Sequence, residues 1–294
     1  MHIFIFGIFP EDSGKTIVAQ GLLKLLSEKY SVDIAPFKPI SGHNYWRQYE
    51  TVILNKRLGM LFGSDIYRMM STARSSVNMD EICIHNPITF LFSPVDINKA
   101  LELRMEIDQL LDETFSKNLI LTKLTKVTFS NDKKVENIYF FNESLANRLI
   151  FDNELVTILK NSENSELKII TDSMDAVYFI KDHGDESIAS CFKYLSKKFS
   201  YILTESFNNA VLPWSGVLES DIQIAVAPGY IFIFEKDLFI RTIKNLINFY
   251  GAEITAPKLF RVITPKQKIR IPLRFDDKNI DVLDDVVKII LNAE

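Results

Sequence analysis

The stretch that most constrains this chain is its beginning, where an apolar run, a tight loop ending in Gly-Lys-Thr and a long amphipathic segment follow one another without a gap. "MHIFIFGIF" is too short to span a bilayer, has no cationic start that would make it a signal peptide, and reads as a buried strand. "TIVAQGLLKLLSEKY" places Val18, Leu22, Leu25 and Leu26 at helical spacing and contains no proline, which predicts a helix from Gly14 to Tyr30. The loop between them is "GIFPEDSGKT".

A loop in that position can cradle a polyphosphate. Successive backbone N–H groups and the helix N-terminus converge on one anion, the lysine adds a mobile positive charge, and the threonine hydroxyl can hold Mg²⁺. Glu11, Asp12, Ser13, Gly14, Lys15 and Thr16 are therefore nucleotide-binding candidates, with Ser13 read as capping the helix. The alternative is a glycine-containing turn with a solvated Lys15. Phe9 stands where the usual pattern has its first glycine, so the sharp bend is expected at Gly7 and Pro10 instead.

Bulk properties narrow the classes. The 294 residues, 47% of them hydrophobic, suffice for a large buried core. A formal charge of −4 offers no overall attraction to nucleic acid or to an anionic membrane. No apolar run approaches the ~18 residues of a membrane helix. Cys83 and Cys191 lie far apart without metal-ligand spacing and read as reduced, buried thiols of a cytoplasmic protein. His43, His85 and His183 show no metal spacing either.

Along the rest of the chain, "VDIAPFKPI" predicts a strand parallel to the first, and residues 50–75 and 98–117 predict helices. "HNPITFLFSPVD" reads as irregular or short extended structure. Two β-rich runs around the polar turn Asn131 to Lys134 predict a hairpin, placed within an insertion over 101–199. "ESLANRLIFDNELVTILK" and "DESIASCFKYLSKKF" read as helices, and "ELKIITDS" and "SYILTES" as strands. "DIQIAVAPGYIFIF" is a strand with a Pro228-Gly229 turn, "KDLFIRTIKNLINFYG" a helix closed by Gly251, and "KLFRVITP" a further strand. A short helix ends the chain over Val282 to Leu291. This alternation predicts one α/β domain over 1–294, built on a doubly wound, mostly parallel sheet.

Several stretches, taken in order, resemble the dethiobiotin synthetase family, a deviant-loop class of P-loop proteins. "FPEDSGKT" is similar to that family's acidic loop ending in GKT. "APFKPISG" resembles its strand ending in Lys-Pro with a nearby Ser and Gly, although one residue shorter. "GSDIYRMM" resembles its Ser-Asp helix opening, "HNPITFLFSP" its Asn-Pro element, and "YILTESFNNA" its strand ending in a glutamate.

The resemblance implies a P-loop NTPase fold and a Mg²⁺ site of Thr16, Asp65 and Glu205 beside the phosphates, a trio whose oxygen ligands suit Mg²⁺. It implies that Lys15 and Lys38 stabilise charge on the transferred phosphoryl group, that Ser41 touches the acceptor, and that the base lies near Thr264 and Pro265. It also implies a homodimer. The sequence departs from the family at the turn after Glu205, where Ser206, Phe207, Asn208 and Asn209 replace glycines, and at Val95 and Asp96, where a histidine is expected. These departures imply the same nucleotide machinery with a different acceptor.

The resulting expectation is a Mg²⁺-dependent, ATP-binding enzyme, with GTP left open, that transfers a phosphoryl group to a small carboxylate or carbamate in a ligase-like reaction. Two alternatives stand beside it. One is a nucleotide-dependent switch or assembly factor with no small acceptor, and the other a binding module that keeps the loop without the chemistry. Asp65 as a helix cap, and Glu205 and Lys38 as solvent-facing side chains, are the corresponding structural readings.

Overall fold

The structure is a computed structural model that describes residues 1–73, 77–102, 104, 115–129, 133–273 and 280–293. Its strands are β1 (His2–Gly7), β2 (Ile34–Phe37), β3 (Ile40–Asn44), β4 (Ile88–Phe92), β5 (Leu119–Phe129), β6 (Lys133–Asn142), β7 (Ser165–Ile170), β8 (Tyr201–Glu205), β9 (Ile222–Ala227), β10 (Tyr230–Ile233) and β11 (Gln267–Arg270). They form two mixed sheets rather than the one sheet that the alternation predicts, and the fold is α/β.

The chain divides into two compact units. The first comprises Met1–Pro39, Asp65–Met79 and Phe192–Glu294, the second Ile40–Ser64 and Asp80–Cys191. The segment expected as an insertion, 101–199, thus belongs mostly to a unit that already starts at Ile40.

The first unit carries a six-stranded sheet in the order β11-β10-β9-β1-β8-β2. β9, β1, β8 and β2 are mutually parallel, in register Ile5 with Ile224 on one side and Ile5 with Glu205 on the other. "HIFIFG" and "IQIAVA" are buried along their whole length, as central strands of a parallel sheet must be. Phe4, Phe6, Phe234 and Phe239 stack through this core. Pro36 is tolerated because β2 is an edge strand, where a missing N–H need not break the sheet. The opposite edge, β11, is protected by charge, with Lys268 lying 4.3 Å from the Tyr230 ring centroid.

The predicted helix after the loop forms as Lys15–Lys24 and continues as a π-helical turn, Leu25–Lys29. Gly229, at φ 81°, makes the two-residue turn between β9 and antiparallel β10. Gly251, at φ 58°, closes the helix Lys236–Tyr250 as predicted.

"KLFRVITP" is the clearest correction. It is not a strand but the helix Ala256–Phe260 and the turn behind it. Pro257 presets the first helical turn after Thr255, and the sheet takes the polar "QKIR" of β11 instead.

In the second unit the order is β3-β4-β5-β6-β7. The hairpin is present as antiparallel β5 and β6, paired from Leu121 with Phe141 to Phe129 with Lys133. Residues 130–132 of its turn lie outside the described residues. "ITFLF" of the Asn-Pro element is a fully buried strand. The helix predicted over 50–75 is broken at Gly59, φ 65°, into Tyr49–Leu58, which belongs to this unit, and Ser64–Thr72, which belongs to the first from Asp65 on, while 74 and 75 lie outside the described residues. The helix predicted over 143–160 is likewise split, into Glu143–Ala146 and Glu154–Asn161. Of the helix predicted over 98–117, Ile97–Glu102 is helical, while 103 and 105–114 lie outside the described residues.

The core is built on Leu91, Ile120, Leu121 and Tyr139 of the sheet with Leu155 and Leu159 of a covering helix. Cys83 and Cys191 are both free and buried, and burial pushes the Cys191 thiol up to about 12. Among the described residues no helix is long and apolar enough to cross a membrane.

Candidate functional site

The candidate site belongs to the first unit, at the C-terminal ends of β1, β2 and β8. The chain leaves β1 for β2 on one side and later passes from β8, beside β1, to β9 on its other side. The end of β1 is therefore a topological switch point, where open α/β sheets leave a crevice.

The loop from Gly7 to Lys15 is held closed by one hydroxyl. Ser13 Oγ accepts from the Phe9 N–H at 2.9 Å and donates to the Phe9 carbonyl at 2.7 Å. The helix cap is Gly14, φ 83°, not Ser13, whose hydroxyl is taken up by Phe9. The bend itself comes from left-handed backbone at Asp12, φ 52°, and Gly14, rather than from Gly7 and Pro10.

Gly7 is needed for space. A Cβ there would lie 2.6 Å from Ser13 Oγ and 2.9 Å from Lys15 Nζ. The Phe9 side chain is 50% exposed and points out of the loop's interior, which explains how the loop tolerates phenylalanine.

Lys15 folds back over the loop toward Gly7 and is buried. Among the described residues its ammonium makes no hydrogen bond or ion pair at contact distance. Burial, and then the charge of Lys38, hold its pKa below the usual lysine range. Glu205, Asp65 and Asp12 act on its charge through space without touching it, and a buried cation with free donors, at the N-terminus of a helix whose first N–H groups lack helical partners, attracts an anion.

Thr16, Lys38, Asp65 and Glu205, predicted as parts of one site, do come together. The Thr16 hydroxyl donates to Glu205 Oε1 at 3.1 Å. Lys38 Nζ donates to the same oxygen at 2.5 Å and to the Ser206 carbonyl at 3.0 Å, and pairs with Asp65 Oδ2 at 3.2 Å. Asp65 is thus not merely a helix cap, nor is Glu205 or Lys38 solvent-facing.

Burial opposes charge on Lys38, but Glu205 and Asp65 outweigh it and raise its pKa. Burial likewise disfavours ionised Asp65, and Lys38 overcomes this to hold the carboxyl below its ordinary value. Glu205 is fully buried, which pushes its carboxyl up against the pull of Lys38.

The donor set suits Mg²⁺. Thr16, Asp65 and Glu205 offer hard oxygens, and Glu205 Oε2 is buried with no hydrogen-bond partner among the described residues. Among the described residues no group of three or more His, Cys, Asp or Glu side chains could hold a metal. Two carboxylates and a hydroxyl could serve only an ion that takes its remaining ligands from water or a bound anion.

Glu11 and Asp12 are exposed on the loop. Thr264 and Pro265 precede β11, which runs in the same direction as β1 and has Gln267 level with Ile5.

Ser41 is buried in the second unit, on β3. It donates to Asn86 Oδ1 at 2.8 Å, an oxygen that also accepts from the Gly63 N–H at 3.0 Å and the Thr89 hydroxyl at 3.0 Å. Asn86 organises these motif residues, and the fully buried Lys123 donates to its backbone carbonyl at 2.6 Å. Neither the hub role of Asn86 nor Lys123 was foreseen from sequence, although the Asn-Pro dipeptide was a visible signal for the first. In the turn after Glu205, Asn208 takes φ 47°, a conformation asparagine tolerates in place of glycine.

No protein-family model matches the chain, and no curated protein is significantly similar to it.

Proposed function

We propose that the first unit is a P-loop-type nucleotide-binding module that binds ATP with Mg²⁺ and passes its γ-phosphoryl group to a small carboxylate or carbamate acceptor. The observation that carries this reading is Lys15: a buried ammonium with no partner at contact distance among the described residues, at the head of the helix after β1 and beside the Thr16–Glu205 pair.

The loop's amides and Lys15 would hold the β- and γ-phosphates. Lys38 would stabilise charge on the acceptor or the intermediate as the acceptor oxygen bonds to the γ-phosphorus and ADP leaves. Thr16, Asp65 and Glu205 would hold Mg²⁺, which neutralises phosphate charge when bound. Little else is required, since phosphoryl transfer is catalysed mainly by positioning and cation placement.

A second reading has its own support. Phe9 and Ile17, on the loop and the first helical turn, are both half exposed, and apolar groups beside a phosphate loop suit a partner protein whose contact changes on hydrolysis. Phosphate release separates the two. Stimulation by bicarbonate plus an amine supports the ligase-like reading, whereas slow basal turnover accelerated by a protein partner supports the switch. A thermal-shift screen of ATP and GTP, each with and without Mg²⁺, tests the nucleotide itself, and no stabilisation by either would refute both readings.

A further inference from the structure

We infer that Lys38 is a resident cation of this site, which a divalent metal must displace, so that metal entry is conditional on the nucleotide. This rests on the reading of Thr16, Asp65 and Glu205 as metal ligands. The Lys38 side chain is only 3% exposed, and its ammonium lies 2.5 Å from Glu205 Oε1 and 3.2 Å from Asp65 Oδ2. Mg²⁺ bound directly by these carboxylates would sit about 2.0–2.1 Å from an oxygen, in the space the ammonium holds. A metal that bridges the same two oxygens, Glu205 Oε1 and Asp65 Oδ2, cannot share that space with the ammonium.

The order of events follows from charge. Without nucleotide, Lys38 already holds one oxygen of each carboxylate and offsets one of their two charges, so a free divalent ion must first break a buried ion pair to reach those oxygens. A triphosphate changes both sides of that exchange. It brings oxygens that complete the metal's coordination, and it adds negative charge that Lys38 can meet once it leaves the carboxylates. Lys15, with no contact partner among the described residues, is available for the same anion. The ligand recognised is thus a divalent cation complexed to a nucleoside triphosphate, rather than the bare ion.

The test is Mn²⁺ binding to the full chain, followed by electron paramagnetic resonance and by ultrafiltration, with folding checked by circular dichroism. Wild type without nucleotide should bind Mn²⁺ only above about millimolar concentration, and should retain it when ATP is present. Lys38→Met, and Lys38→Gln as a second variant, should bind nucleotide-free Mn²⁺ at least about ten-fold more tightly. Adding Asp65→Asn should abolish that gain. Equal nucleotide-free affinity in wild type and the Lys38 variants would overturn the inference while leaving the metal-site reading intact. Absence of Mn²⁺ binding to any of these proteins, even with ATP, would overturn that reading and the inference with it. Tight nucleotide-free binding by wild type alone would refute the displacement, whether or not the variants fold.

Discussion

The ammonium of Lys38 and the carboxylate of Glu205 meet at 2.5 Å in a place that solvent does not reach, with Glu205 fully buried on the last residue of β8. Such a pair is costly to break from one side. Glu205→Ala leaves the Lys38 charge supported by Asp65, which is itself 38% exposed, and should destabilise the fold by about 3–5 kcal/mol in urea denaturation. The double variant Lys38→Met/Glu205→Ala should recover part of that loss, with a coupling of more than about 1 kcal/mol in the cycle completed by Lys38→Met. Strict additivity would mean that the two side chains do not act as a pair.

Gly7 makes a separate prediction. Because a Cβ at this position would press on Ser13 Oγ and Lys15 Nζ at 2.6 and 2.9 Å, Gly7→Ala must open the Ser13 clasp or push the lysine aside. Stability should fall by about 1–3 kcal/mol, and ATP affinity by at least about ten-fold. Unchanged affinity in a folded Gly7→Ala protein would show that the loop does not need its observed closure.

His2 ties stability to pH. Its ring is buried against Phe192, with centroids 4.6 Å apart, and shares a 2.8 Å hydrogen bond between Nε2 and Thr204 Oγ1. Burial lowers its pKa from 6.5 to about 3, with Asp221 opposing. Between those values the unfolded chain binds a proton that the folded chain does not, so stability is complete above pH 6.5 and declines as pH falls toward 3. The decline from this residue should be on the order of 3–5 kcal/mol. His2→Gln should flatten it, and a pH profile identical to wild type would contradict the assignment.

What sequence could reveal followed the range of the interactions involved. The strand, loop and helix over residues 2–30 were legible because apolar periodicity and Gly-Lys-Thr act locally, and Gly251 was legible as a helix stop for the same reason. Pairing is not local. Nothing in "QKIR" marks it as a strand, since β11 forms by pairing with β10, whereas "KLFRVITP" has β-like composition that Thr255 and Pro257 turn into a helix start.

The division into two sheets was hidden too, because parallel strand order depends on contacts across most of the chain. The grouping of Thr16, Lys38, Asp65 and Glu205 was anticipated, but not the position of Lys38 between the carboxylates.

Isothermal calorimetry of ATP with Mg²⁺, on wild type and on Lys15→Ala, tests the central claim most directly. The buried ammonium of Lys15, which makes no hydrogen bond or contact ion pair among the described residues, should supply a large share of the polyphosphate affinity, so the variant should bind at least about 100-fold more weakly while keeping its fold. Equal ATP affinity in the two proteins, or no binding by wild type, would contradict the account.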